Sequence, residues 1–206
     1  MSVAGVVLAA GESRRMGQLK ALLQFGPRTV IEQVLQPLLG ADLSEVAVVL
    51  GHRADEIAAV LKPLPVRLLY NPDYQLGMTS SVQVALRALD PVPDAYLLAL
   101  VDQPQIGLQV VQQLLAAHAR TRKGLIIPVW QGKRGHPLLL AAAYRTAVLA
   151  LGPDQGLNAV TRGYPHDTLE LPIETDDILR DMDYREDYEA ELQRWQSRSA
   201  LPGAPS

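Results

Sequence analysis

Five apolar runs of strand length, Val3–Ala9, Val46–Leu50, Val66–Tyr70, Tyr96–Val101 and Leu125–Val129, recur along the chain and are separated by segments with helical spacing. A strand nearly free of polar residues must be covered on both faces, so this alternation predicts an α/β fold with a mostly parallel sheet between two helix layers. In such a sheet the carboxyl ends of the strands share one edge, and ligands bind there. The intervening helices are expected over Thr29–Leu39, Asp55–Leu61, Thr79–Leu89 and Val110–Ala119. Pro37 should bend or shorten the first, and Thr79 or Ser80 can cap the third. After Val129 the pattern weakens. Trp130–Pro137 reads as a polar turn before Leu138–Ala142, which makes either a hairpin or a strand entering a helix over Ala143–Leu151. Gly152–Gly163 reads as a loop with a short helical piece, Thr168–Leu171 and Ile178–Met182 as strands, and Arg185–Arg198 as a charged final helix.

With 206 residues the chain can bury one substantial core, so residues 1–198 are expected to form a single domain. Residues 199–206, small and polar with two prolines, are expected to be a disordered tail. A net charge of −3 argues against general binding to nucleic acid or membrane surfaces, so cationic chemistry must be local. Without cysteine there is no disulfide, thiolate nucleophile or cysteine-ligated metal. The first apolar run is short and leads into Arg14 and Arg15 rather than a cleavage site, and no run approaches a membrane span; the cytoplasm is the expected location.

The local cations follow the first strand. In VVLAAGESRRMGQLKALL, Val6–Leu23, a turn of small residues (Ala9, Ala10, Gly11) is followed by Arg14, Arg15, Gly17 and Lys20. Small residues let backbone N–H groups approach a ligand, and the adjacent cations suit a polyphosphate. The loop lacks the GK[ST] ending of an ATPase phosphate loop.

Two acids complement it. Asp102 ends the apolar run YLLALVD, and Asp183 follows ILRDM. Read as strand ends, the two could hold Mg²⁺, which prefers oxygen ligands and keeps waters and substrate phosphates in its shell; each could instead cap the element that follows. Asp181 competes with Asp183 from the same expected strand face. The loop NPDYQLGMTSSVQ sets Asn71, Gly77, Thr79, Ser80 and Ser81 before a helix, where hydroxyls and free N–H groups can bind an anion or a base edge. Gly132–Pro137 carries Lys133, Arg134 and His136, suited to a phosphate on a second substrate or equally to a solvated turn. His52, His118 and His166 have no metal-ligand spacing.

LAAGESRRMGQLKALL, Leu8–Leu23, resembles the LAAG-x-S-x-R-M-G-x-x-K signature of MobA-like nucleotidyltransferases. Asn71 with GMTSSV (Gly77–Val82), LVDQP (Leu100–Pro104), RGHP (Arg134–Pro137) and DMDYREDY (Asp181–Tyr188) are similar to further blocks, in the same order, of the molybdenum cofactor cytidylyltransferase branch. The resemblance implies a Rossmann-like, three-layer α/β/α fold of nucleotide-diphospho-sugar transferase type with a mixed central sheet. It implies Mg²⁺-dependent transfer of CMP from CTP to the terminal phosphate of molybdenum-bound molybdopterin, releasing pyrophosphate, with a molybdoenzyme as eventual recipient. Carried over by residue, Leu8, Ala9, Ala10 and Gly11 line the nucleotide, Arg15 and Lys20 bind its triphosphate, and Asn71, Gly77, Ser80 and Ser81 lie near base and sugar. Asp102 and Asp183 hold the metal, Lys20, Arg15 and Asp102 are the catalytic set, and Arg134 and His136 meet the acceptor.

Guanylyltransferases of the superfamily typically read LAGG, so the methyl of Ala10 favours cytosine over a purine by about 1–3 kcal/mol, the scale of single-methylene discrimination. Thr79 replaces a common serine and keeps the hydroxyl. DMDYREDY replaces the commoner DIDTPEDY; it loses a turn proline but keeps both aspartates. Two alternatives stand beside this expectation. One is transfer from GTP or another NTP, or to a sugar or alditol phosphate. The other is a maturation chaperone that binds molybdenum cofactor without turnover.

Overall fold

The protein is described over residues 1–199 by a computed structural model. The apolar runs become β1 (Val3–Ala9), β4 (Glu45–Leu50), β5 (Arg67–Tyr70), β6 (Ala95–Leu100) and β7 (Leu125–Trp130), with a two-stranded ribbon, β2 (Gln24–Phe25) and β3 (Arg28–Thr29), after the first loop. Between them lie α1 (Val30–Leu39), α2 (Ala54–Leu61), α3 (Met78–Ala88) and α4 (Leu108–Thr121). The remainder contributes β8 (Lys133–Arg134), β9 (Leu138–Ala141), α5 (Arg145–Leu149), α6 (Asn158–Gly163), β10 (Thr168–Pro172) and α7 (Arg185–Ser199). The main sheet has the order β10-β7-β9-β6-β1-β4-β5, with β8 paired to β7.

Strand side chains alternate between faces, and here both sets are buried. Val7, Val48 and Leu97 pack in the layer with Ile31 and Leu35 of α1, Ile57 of α2 and Leu114 of α4. Val6, Val49 and Leu98 pack opposite, with Val82 and Leu86 of α3, Val148 of α5 and Val160 of α6. Pairs β1–β4, β1–β6, β4–β5 and β7–β10 are parallel. β9 lies between β6 and β7 and runs antiparallel to both. Its first residue therefore arrives at the edge where β6 ends, and the turn before it reaches the ligand edge of the sheet. No helix among the described residues is long and apolar enough to cross a membrane.

Several details differ from the expectations. Pro37 does not shorten α1: it is buried eight residues into a ten-residue helix, where its missing N–H removes a single late bond. Thr29 caps that helix instead of opening it, in a reciprocal box with Glu32. The N-cap of α3 is Gly77, not Thr79 or Ser80. The expected helix over Ala143–Leu151 is a 3-10 turn followed by the short α5. Both readings of Trp130–Pro137 contribute. Gln131 (φ 47°) and Gly132 (φ 76°) make a tight turn pairing β8 with β7, and the chain then enters β9.

Ile178–Met182 is not a strand. Asp176–Leu179 is a 3-10 turn capped by Thr175, and the residues after it are irregular. Its carbonyls are taken by side chains and a loop: Gln105 Nε2 donates to Asp177 O (2.8 Å) and Arg180 O (2.6 Å), and His136 N to Ile178 O (3.1 Å). Of the expected tail, Ser199 closes α7, and residues 200–206 lie outside the described residues.

Candidate active site

Three chain segments that follow strands meet at the carboxyl edge of the sheet, as the α/β pattern requires. After β1 the chain makes a polar loop in which Ser13 adopts a left-handed conformation (φ 54°) and accepts a hydrogen bond from Lys20 N (3.1 Å). A 3-10 turn, Lys20–Leu22, then turns the lysine inward, and only 8% of it is exposed. The loop, the end of β6 and the start of α3 enclose a cavity of about 260 Å³. Leu8, Ala9, Ala10, Gly11, Gly77 and Ser81 line it together with Lys20 and Asp102. An adjoining cavity of about 340 Å³ shares Gly11, Ser13 and Lys20 and adds Arg15 and Asp183.

Lys20 is the centre of the charge arrangement. Its Nζ donates to Asp183 Oδ1 (2.8 Å) and to Asp102 Oδ2 (3.4 Å), and Arg15 Nη1 donates to Asp183 Oδ2 (2.6 Å). Hydrogen bonding from Lys20 holds the Asp183 carboxyl below its ordinary range. Burial pushes Asp102 the other way, against the nearby lysine and with help from Asp181. Asp102 Oδ1 is buried and has no hydrogen-bond partner. An orphaned carboxylate oxygen is costly, and at a functional site it signals a missing ligand. Two carboxylates, one with a free oxygen, facing a cavity large enough for phosphate suit a hard divalent cation that takes its remaining oxygens from substrate and water. No group of three or more His, Cys, Asp or Glu gathers among the described residues, so a closed protein-only metal cage is not present there.

Asp102 arrives as expected, just after β6. Asp183 reaches the same lysine by another route. It is carried by an irregular loop rather than a strand, which is tied down by Met182 N donating to Asp102 O (3.0 Å) and by Asp187 Oδ2 accepting from Asp183 N (3.0 Å) and Tyr184 N (2.8 Å). Asp181 does not share a face with it: its Oδ1 accepts from Gln103 Nε2 (2.8 Å).

In the second loop Asn71 is buried behind the cavity wall. Its Nδ2 donates to Ser80 Oγ (2.8 Å) and Ser81 Oγ (3.0 Å), and its Oδ1 accepts from Asp73 N, so it shapes the loop from behind. Thr79 Oγ1 donates to Gln155 O (2.9 Å), tying α3 to the loop before α6, and Ser80 Oγ donates to Gly77 O (2.8 Å). Gly77 sits at φ 98°, ψ 177°, a conformation a side chain would strain. Ser81 and Gly77 reach the cavity; Asn71 and Ser80 do not line it.

A side cavity of about 380 Å³ adjoins the first through Met78, which lines both. Ile127, Leu138 and Leu157 form its apolar wall, with His136, Asn158 and Arg162 at the polar side. Burial lowers the pKa of His136, which favours the neutral ring at pH 7. Arg134 lines this cavity too, but its guanidinium pairs with Glu170 (2.7 Å). Sequence reading missed Ser13, Met78, Gln103 and Arg162. Gln103 lay within a motif already singled out, whereas nothing in the spacing of Arg162 distinguishes it from a solvated charge.

The chain is 35% identical over 173 residues to the nicotine blue oxidoreductase of Paenarthrobacter nicotinovorans, covering 79% of this chain and 83% of that one. It is 25% identical over 192 residues to the molybdenum cofactor cytidylyltransferase of Escherichia coli K12, covering 92% and 95%. Among solved structures, the Mycobacterium tuberculosis Rv0371c homologue from Mycobacterium sp. strain JC1 superposes with a TM-score of 0.84 at 29% identity, covering 95% of this chain and 97% of that chain. The architecture is that of the nucleotide-diphospho-sugar transferase fold. The MobA-like NTP transferase domain matches residues 5–169, most of the chain, and on that match the chain belongs to the MobA-like NTP transferase family.

Proposed function

We propose that the protein transfers CMP from CTP to the terminal phosphate of molybdenum-bound molybdopterin, yielding the cytosine dinucleotide and pyrophosphate. The observation that carries the reading is the Lys20 ammonium between Asp102 and Asp183, where a small-residue cavity lined by Lys20 and Asp102 adjoins one lined by Lys20 and Asp183. A phosphate oxygen of the acceptor attacks the α-phosphorus, and the bond to the bridging oxygen of the β-phosphate breaks. The acceptor oxygen is already ionised, so positioning and charge stabilisation suffice and no general base is needed. Lys20 and Arg15 bind the triphosphate and offset the charge gathering on the departing pyrophosphate. Asp102 and Asp183 would hold Mg²⁺, which supplies charge neutralisation at the α-phosphate. Gly11, with no Cβ, leaves room for backbone approach, and Gly77 and Ser81 face the base and sugar side.

The methyl of Ala10 in the cavity wall supports a pyrimidine, and the relative named a cytidylyltransferase spans nearly the whole chain. The relative named an oxidoreductase raises a second reading, reduction of a small molecule by a nucleotide-containing reductant. Two carboxylates gathered on one lysine favour phosphate and metal chemistry, since hydride transfer requires neither acid. Purified protein with Mg²⁺, molybdenum cofactor and labelled CTP, GTP or ATP tests both readings. Labelled dinucleotide from CTP supports the proposal. Product from GTP reassigns the base. No pyrophosphate release from any NTP, together with NADH or NADPH oxidation in a parallel incubation that supplies an oxidised quinonoid dye as hydride acceptor, supports the oxidoreductase.

We assign the acceptor to the side cavity, which adjoins the first cavity at Met78. Its apolar wall suits a ring system, while Arg162, which forms no ion pair with a described residue, suits the phosphate better than Arg134, held by Glu170. His136 faces the same space. Arg162→Ala is expected to raise the acceptor KM by about tenfold, the scale of a lost charged contact, and to leave the CTP KM unchanged. Steady-state kinetics with each substrate varied separately check this.

A further inference from the structure

We propose that α7 and the β2–β3 ribbon form a clasp that sets the spacing of Lys20 and Asp183, with Trp195 and Gly26 as its positioning residues. The proposal rests on the reading above for what those two groups do, but its structural part stands independently. The ribbon begins four residues after Lys20, and α7 begins two residues after Asp183, so each functional group sits at the root of one arm. The arms close on a core separate from the two helix layers: Phe25, Val30 and Met182 are fully buried and pack with Tyr188, Leu192 and Trp195 of α7. Phe25 and Trp195 meet edge to face with ring centroids 6.0 Å apart, and Tyr188 OH donates to Gln24 O (2.5 Å).

Gly26 has φ 64°, and a Cβ there would fall inside the van der Waals envelope of the Trp195 ring. At this position the absence of a side chain is what lets the indole close over the ribbon. Behind the clasp, Arg180 is bound by Asp176, Asp177 and the buried Glu191 of α7, so the helix is also pinned to the segment leading to Asp183. Arg15 spans the front, bonded to Asp183 and 5.8 Å from the Tyr184 ring centroid. α7 lies beyond residues 5–169, the stretch matched by the family domain. Neither Trp195 nor Gly26 lines the cavities holding Lys20 and Asp183, so any effect of changing them on those groups must pass through their spacing.

The test compares Trp195→Ala and Gly26→Ala with Trp195→Phe and with Val148→Ala, a truncation in the opposite core layer that serves as a control for general destabilisation. Each is used as full-length protein at a temperature where circular dichroism shows it folded. Acetylation of Lys20 by N-acetoxysuccinimide, read by mass spectrometry against exposed Lys62, measures release of the lysine without substrate or metal. Trp195→Ala and Gly26→Ala are expected to label Lys20 at least about threefold faster, as local opening requires, whereas Trp195→Phe and Val148→Ala follow wild type. The same two variants are expected to raise the half-saturating Mg²⁺ concentration for nucleotidyl transfer by about tenfold, the scale of a lost outer-shell support. Unchanged Lys20 labelling in folded Trp195→Ala, or equal acceleration in Val148→Ala, overturns the clasp. Altered labelling in a protein whose wild type turns over no NTP keeps the clasp and removes the reaction assigned to it.

Discussion

Replacing Lys20 with alanine is expected to lower nucleotidyl transfer at least about a hundredfold, the range for loss of a group that stabilises developing charge. The side chain is buried and bonded to two carboxylates, so solvent cannot substitute for it. Its removal also changes the acids. Lys20 is the largest cause of the lowered Asp183 pKa, so that carboxyl moves back towards its ordinary value in the variant. An acid whose folded pKa is depressed contributes stability above its unfolded pKa and loses it as pH falls through the folded one. Lys20→Ala loses that contribution and is expected to unfold at a higher pH than wild type in an acid titration followed by circular dichroism. Near-normal turnover in a folded Lys20→Ala protein would remove the lysine from the catalytic set.

Asp102→Asn is expected to separate activity from stability. Turnover falls at least about a hundredfold, because the neutral amide cannot serve as a charged oxygen ligand. Stability moves the other way. Burial raises the Asp102 pKa, so ionisation opposes folding, and the contribution becomes more unfavourable as pH rises through the unfolded and then the folded pKa. Removing the buried charge while Asp183 still pairs with Lys20 is expected to raise the Tm at pH 8 by about 2–4 °C, which corresponds to about 1 kcal/mol in a chain of this size. Calorimetry at pH 8 and pH 4 checks this, with the gain shrinking at the lower pH. In the wild-type protein protons compete with the metal at this carboxyl, so the half-saturating Mg²⁺ concentration is expected to rise as pH falls through the raised Asp102 pKa of the metal-free protein. A destabilised Asp102→Asn protein at pH 8 would show that the carboxylate is structural.

The chain's sequence makes some of this arrangement plain and hides the rest for identifiable reasons. β1, β4 and β6 are apparent because both faces are covered, leaving no polar position to obscure them. Asp102 is apparent because a charge at the end of such a run must emerge at the sheet edge. Asp183 is legible as a residue but not through its element. Ile178–Met182 has a strand-like pattern, yet the backbone partners there are side-chain amides and a loop N–H rather than a neighbouring strand. Asn71 is polar and near a helix start, which suggests ligand contact; its actual partners, Ser80 and Ser81, emerge only in three dimensions. Arg134 and Arg162 look equivalent until the fold brings Glu170 to one of them.

The antiparallel β9 has a consequence for how specificity is distributed. It divides the sheet into a half that carries the turn after β1 and the residues after β6, and a half that carries His136 and faces α6. On the proposed function, base choice and acceptor choice fall to different stretches of chain, whose cavities adjoin at Met78. A chimera that exchanges residues 131–163 with those of a relative is expected to inherit that relative's acceptor while keeping its own nucleotide, so that one framework supports two independently exchangeable choices.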